Sequence, residues 1–153
     1  MGRLRLVVMI SGSGSNLQAI LDAIAEGRLD AEVVHVISNR RSAFGLQRAE
    51  KAGVASTVFP LAGYKKRGRS REEYDADLAL LVGCFEPDVV VLAGFMHILS
   101  PGFIDRFENQ ILNLHPALPG EFPGIHAIER AYECSRSEGL SRTGVMIHWV
   151  IPE

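Results

Sequence analysis

Two periods of apolar residues take turns along this chain. Residues 4–10 form an apolar run of strand length, the pattern of a strand covered on both faces. The Ser- and Gly-rich stretch 11–16 follows, and then Leu17, Ile20, Leu21 and Ile24 recur at the spacing of one helical face. Ser15 with Gln18 fits a capping box at the start of that helix, and Gly27 fits its stop. Residues 33–38 read as a second strand, 44–52 as a second helix closed by Gly53, and 56–59 as a short third strand. The stretch 61–69, rich in Gly, Lys and Arg, reads as an exposed loop. Ser70-Arg71-Glu72-Glu73 is a second box-like start, leading into Tyr74, Leu78, Leu81 and Val82 on one helix face. Pro87-Asp88 introduces a strand over 89–93, and residues 94–97 lie just past its end. A short helix over 101–107, a strand carrying Asn113 and His115, a helix over 125–134 and a last strand over 144–151 complete the series.

Strand and helix in alternation predict an α/β fold, a mostly parallel sheet with helices on both faces, as one domain over residues 1–153. Ligands of such sheets bind outside the carboxyl ends of the strands. Three features fall there: the 12–16 loop, the 94–99 loop, and Asn113 with His115.

Composition narrows the class. A length of 153 residues suits one domain with a real core, and 47% hydrophobic with 22% charged residues is globular rather than disordered. A formal charge of −2 argues against a general nucleic-acid surface. Cys84 and Cys134 lie in no metal-like spacing and read as buried free thiols of a reducing compartment. The run 6–10 is too short for a signal sequence or a membrane span, so a cytoplasmic protein is expected.

The candidate chemistry is concentrated in a few residues. Side chains two apart on an extended segment share a face, so Asn113 and His115 leave the strand end together, where Pro116 stops the ladder. The pair joins a hydrogen-bond donor to a group that titrates near neutral pH, which suits a reaction in which a carbonyl oxygen becomes negative. A core histidine held by an asparagine is the plain alternative. The 12–16 loop offers backbone N–H groups and hydroxyls at a helix start, a ready phosphate site. As a dinucleotide fingerprint it is incomplete: Leu17 stands where the third glycine belongs, and Ser38-Asn39-Arg40-Arg41 offers no acid for a ribose diol. Arg40 or Arg41 could hold a 2′-phosphate, which leaves an NADP-dependent reductase as an alternative. A monophosphate suits the loop better. His97 is placed for a ligand, whereas His35, His126 and His148 read as core or pocket wall. Arg71 and the 65–71 basic run read as solvated surface, and Trp149 as core.

Three ordered motifs carry a family resemblance. Ile10-Ser11-Gly12-Ser13-Gly14-Ser15-Asn16-Leu17-Gln18, Val91-Leu92-Ala93-Gly94-Phe95-Met96 and Asn113-Leu114-His115-Pro116-Ala117-Leu118-Pro119-Gly120 resemble the phosphoribosylglycinamide formyltransferases. The similarity runs from Leu6 to Glu153, and Ala117-Leu118-Pro119-Gly120 with His126-Ala127-Ile128-Glu129 looks most like the fungal form. The resemblance implies a Rossmann-like formyltransferase fold and formyl transfer from 10-formyltetrahydrofolate, as co-substrate, to glycinamide ribonucleotide in purine biosynthesis, with no metal. Its implied partners are these two small molecules, with no nucleic acid and no membrane. By the same resemblance Ser13, Gly14, Ser15 and Asn16 hold the ribonucleotide phosphate, and Asn113 hydrogen-bonds the formyl oxygen. His115 steadies the tetrahedral intermediate. Arg71, Met96, His97, Ile98 and Leu99 line the folate site.

Two departures accompany the match. The family usually has Arg where this chain has His97. It also continues with a loop carrying a catalytic Asp that pairs with the His, which by alignment falls beyond Glu153. The resemblance therefore implies a chain lacking the family's C-terminal portion. In a comparable His–Asp pair, loss of the carboxylate costs about four orders of magnitude. A ribonucleotide-binding protein without catalysis is the corresponding alternative.

Overall fold

The computed structural model describes residues 2–124 and 126–151. Its order is β1 (Leu4–Ile10), α1 (Ser15–Ala25), β2 (Ala31–Ser38), α2 (Gly45–Lys51), β3 (Ser56–Val58), α3 (Leu61–Lys66), α4 (Arg71–Gly83), β4 (Val89–Leu92), α5 (Pro101–Arg106), β5 (Ile111–His115), α6 (Ala127–Ser137) and β6 (Met146–Trp149). Among the described residues the strands form one six-stranded sheet ordered β3-β2-β1-β4-β5-β6, parallel except for β6, which runs antiparallel to β5. The alternating pattern thus gives the expected mostly parallel α/β sheet. The chain moves outward from β1 on one side, then returns to place β4 on the other, so the strand order reverses between β1 and β4. Ligands of open α/β sheets bind at such a reversal. None of the described helices is long and apolar enough to cross a membrane.

Helices cover both faces because β1 is apolar on both. Val7 and Met9 face the cluster built with Tyr64, Tyr74, Leu78, Val82 and Phe103, from α3, α4 and α5. Leu6, Val8 and Ile10 face the cluster built with Leu17 of α1 and Ala49 of α2. The β1–β2 register slips between Leu6 and Val7, leaving Val34 without a partner. That bulge lets Ala31 and Val33 before it, and Val36 after it, all face α1 and α2.

Local signals hold at several element ends. Gly27 lies at φ 72°, and the Arg28 and Gly27 N–H groups donate to Ala23 and Ile24 (2.8 and 3.1 Å), the Schellman closure of α1. Ser70 and Glu73 form the capping box at the start of α4. The box expected of Ser15 and Gln18 does not form: Gly14, in the left-handed region, occupies the cap position, and the Gln18 side chain bonds Asp22.

Tertiary contacts overrule the sequence pattern elsewhere. The stretch expected to be a loop contains α3, pinned by Tyr64, which is buried against the rings of Phe59 and Tyr74 and donates its hydroxyl to Asp77 (2.7 Å). Arg67 and Arg69 of the basic run lie over the Tyr64 ring, so part of that run packs rather than floats. The helix expected over 125–134 runs over Ala127–Ser137, and Ile125 lies outside the described residues. Neither cysteine is buried as expected: Cys84 is exposed and Cys134 half-buried, although both are free. Trp149 is half exposed rather than core, because β6 turns Met146 and His148 to one face and Ile147 and Trp149 to a solvated one. His126 is exposed near Glu129, with φ 57° at the α6 cap, and is neither core nor pocket wall.

The closest backbone approach falls at the glycine loop, where a Cβ on Gly14 would lie 2.5 Å from the Gly45 Cα. Gly14→Ala combines that overlap with a left-handed φ of 70°. It is expected to cost more than about 2 kcal/mol, since the left-handed conformation alone costs roughly 1–2. Gly12→Ala, with nothing within 4 Å of the added carbon, is expected to stay within about 0.5 kcal/mol. Chemical denaturation of the two variants checks the contrast, and equal midpoints would contradict it.

Candidate active site

Strand β1 ends at Ile10 and leads into Ser11, whose hydroxyl ties together three strand-end loops. Its Oγ donates to the Asn39 Oδ1 beyond β2 (2.6 Å) and accepts from the Met96 N–H beyond β4 (2.7 Å). The next residues form a tight turn into α1, whose first N–H groups have no intrahelical partner and no capping side chain. These unpaired donors stand at the positive end of the helix dipole, where an anion is stabilised. Ser13, Gly14, Ser15 and Asn16 lie on this turn and first helical residues, as a phosphate cradle requires. The turn is fixed from outside by α2: the Gly45 N–H donates to the Gly12 carbonyl (3.1 Å), and Arg48 Nε donates to the Ser13 carbonyl (2.8 Å). Arg48 also reaches Gln18 Oε1 (3.3 Å). It brings a cation beside the loop, and nothing in the helical pattern of residues 44–52 distinguished it.

Strand β5 places Asn113 and His115 on the face of its buried Ile111. Antiparallel pairing sets His148 of β6 directly opposite Asn113. His148 Nδ1 lies 3.0 Å from the Trp149 carbonyl, and its Nε2 lies 3.2 Å from Asn113 Nδ2. A carbonyl only accepts, so Nδ1 carries the proton, and Nε2 accepts from the Asn113 amide. By the same logic His115 Nε2 donates to the Glu121 carbonyl (3.3 Å). Asn113, His115 and His148, with Glu121, Pro123 and Met146, line a cavity of about 240 Å³. His148 is therefore pocket wall, as its position allowed, but its pairing with Asn113 depends on the β5–β6 register. Sequence spacing does not reveal that register.

The loop after β4 alternates inward and outward. Phe95 and Leu99 are buried, while Met96 and Ile98 are 51% and 76% exposed. His97 is turned inward instead of toward a ligand: its side chain is 7% exposed, and Nε2 lies 2.6 Å from the fully buried Asp75. Burial opposes the charge on Asp75. Hydrogen bonds from His97 and from the Ser100 N–H (2.7 Å) outweigh it and hold the carboxyl below its ordinary range. Arg71, the first residue of α4, donates to the Ile98 carbonyl rather than standing free. Sequence reasoning missed Asp75, an acid within a helix that gives no sign of being buried.

The predicted residues thus meet at one end of the sheet, in two groups. Ser11 joins the 12–16 loop to the 94–99 loop, whereas the cavity beside Asn113 and His115 includes none of residues 13–16 or 96–99. Arg40 and Arg41, which a 2′-phosphate would need, are exposed, and the Ser38 hydroxyl donates to the Arg40 carbonyl (2.8 Å). Among the described residues no group of three or more His, Cys, Asp or Glu is placed to hold a metal.

Residues 4–153 match the family model described as formyl transferase. A phosphoribosylglycinamide formyltransferase of Schizosaccharomyces pombe is 53% identical over 154 residues, covering 95% of this chain and 74% of the relative. One of Escherichia coli is 42% identical over 150 residues, covering 98% of this chain and 67% of the relative. The crystal structure of glycinamide ribonucleotide transformylase 1 from Symbiobacterium toebii superposes with a TM-score of 0.88 at 41% identity, covering 99% of this chain and 68% of that one. These matches run through the loop, the β4 end and the Asn113–His115 strand alike, and the chain belongs to the formyl transferase family, among its phosphoribosylglycinamide formyltransferases.

Proposed function

We propose that this protein moves a formyl group from 10-formyltetrahydrofolate to the amine of glycinamide ribonucleotide, a step of purine biosynthesis. The observation that carries the reading is the shared face of Asn113 and His115 at the end of β5, open to a cavity and backed by His148. The open turn at Ser13, Gly14, Ser15 and Asn16 takes the ribonucleotide phosphate, with Arg48 holding the Ser13 carbonyl in place. Arg71 and the loop carrying Met96, Ile98 and Leu99 form the folate wall, with His97 behind it.

The reaction needs no covalent enzyme intermediate. The lone pair of the substrate amine forms a bond to the formyl carbon, and the carbonyl π pair moves onto oxygen. The Asn113 amide and the His115 imidazole each offer an N–H to that oxygen, stabilising charge that exists only in the tetrahedral state. His148 takes one Asn113 N–H and so fixes the amide plane, leaving the other for the oxyanion. Collapse of the intermediate breaks the bond to the folate N10. The amine's proton passes to N10 through His115, which is chemically suited to both accepting and donating it.

Replacement of His115 by Ala is expected to lower kcat by about 10²–10⁴-fold, the span of a general acid–base group or an oxyanion donor. The ribonucleotide Kd should change less than about twofold, because the phosphate cradle is built elsewhere. Stopped assays of formyl transfer and calorimetric titration with the ribonucleotide measure the two quantities, and an undiminished kcat would overturn the proposed role. Arg48→Ala should loosen the Ser13 carbonyl instead. It is expected to raise the ribonucleotide KM by roughly tenfold, the equivalent of about 1.4 kcal/mol, with a smaller effect on kcat.

A further inference from the structure

Helix α4 grips the loop after β4 at three points. Arg71 and Asp75 lie one turn apart on one face of the helix. Arg71 donates to the Ile98 carbonyl, while Asp75 accepts from His97 Nε2 (2.6 Å) and from the Ser100 N–H (2.7 Å). The His97 ring is wedged edge-on between the rings of Tyr74 and Phe95, with centroids at 5.2 and 6.0 Å. A fully buried carboxylate is costly unless its lone pairs are filled, so the loop cannot leave Asp75 without stranding a charge. With His97 locked inward, the alternation of an extended segment turns its neighbours Met96 and Ile98 outward. The same loop reaches the phosphate side, through the Met96 N–H on Ser11.

We propose that Asp75 and His97 are positioning residues for the folate wall: their buried carboxylate–imidazole bond sets the register that presents Met96 and Ile98 to the formyl donor. The proposal rests on the reading of this loop as the folate side of the site. Neither residue touches the donor. They act through the loop, and an error of about 1 Å in such a support is enough for large losses at a distance.

The test compares His97→Ala, His97→Arg and Asp75→Asn with the unaltered protein, measuring KM for 10-formyltetrahydrofolate and, separately, Kd for the ribonucleotide. His97→Ala is expected to raise the folate KM by about ten- to a hundredfold, with the ribonucleotide Kd moving less than about threefold. His97→Arg keeps a donor for the buried carboxylate and should recover most of that loss. Asp75→Asn keeps the shape, removes the charge, and should reproduce the folate defect even if His97→Ala does not fold. Unchanged folate KM in both His97→Ala and Asp75→Asn would overturn the proposal, as would an Arg variant as defective as the Ala variant. An equal loss for both ligands would mean general destabilisation and would also overturn it. If the unaltered protein binds the ribonucleotide but not 10-formyltetrahydrofolate, the folate reading itself falls. If it binds both while the variants match it, only the positioning role falls.

Discussion

One hydroxyl joins the parts of this site. Ser11 follows β1, the strand buried on both faces, and is itself almost fully buried. Its proton goes to Asn39 and its lone pair receives the Met96 N–H. A serine hydroxyl can both donate and accept, so one small side chain holds the loops after β1, β2 and β4 in a common frame. The parallel sheet makes this possible, because it brings all three strand ends to the same edge. Losing the hydroxyl would leave the Met96 N–H and the Asn39 Oδ1, both partly shielded from water, without these partners, which costs more than the bonds themselves contribute.

Most of the fold was legible because its signals are local and periodic. The β1 pattern, the α1 face, the glycine stop at Gly27 and the Ser70–Glu73 box depend on residues within a turn or a strand of one another. Segments whose state depends on distant partners were not legible. Residues 61–69 carry Gly63, Gly68 and four basic residues, yet Tyr64 finds Phe59, Tyr74 and Asp77 and winds six residues into α3. Trp149 reads as core by composition, but burial on an edge strand depends on what lies over its outer face.

The site divides along the same line. Asn113 and His115 announce themselves by their spacing, since period two on a strand is a geometric certainty once the strand is granted. The motif also says which loop ends a strand. It does not say that His148 stands opposite Asn113, because an antiparallel register joins residues 35 positions apart. Nor does it reveal that His97 faces Asp75, since inward and outward orientations of a loop residue carry the same sequence.

The two groups of site residues are held to different degrees, and the chemistry explains why that is workable. The loop proposed to take the phosphate is held from α2 by Gly45 and Arg48, and Gly14 leaves it no slack against that helix. A phosphate is remote from the reacting bond, so its cradle can stay rigid through the whole reaction and serve as a fixed handle. His115, by contrast, is held through one long bond to the Glu121 carbonyl, on a segment where Gly120, Phe122 and Gly124 all adopt positive φ. An imidazole that must accept and release a proton needs a bond it can exchange. A partner at 3.3 Å costs less to give up for a developing oxyanion than a short bond to a charged group would. In the proposed reaction, precise placement comes from the strand that carries Asn113 and His115, and the Glu121 carbonyl is the acceptor that a substrate oxygen would replace.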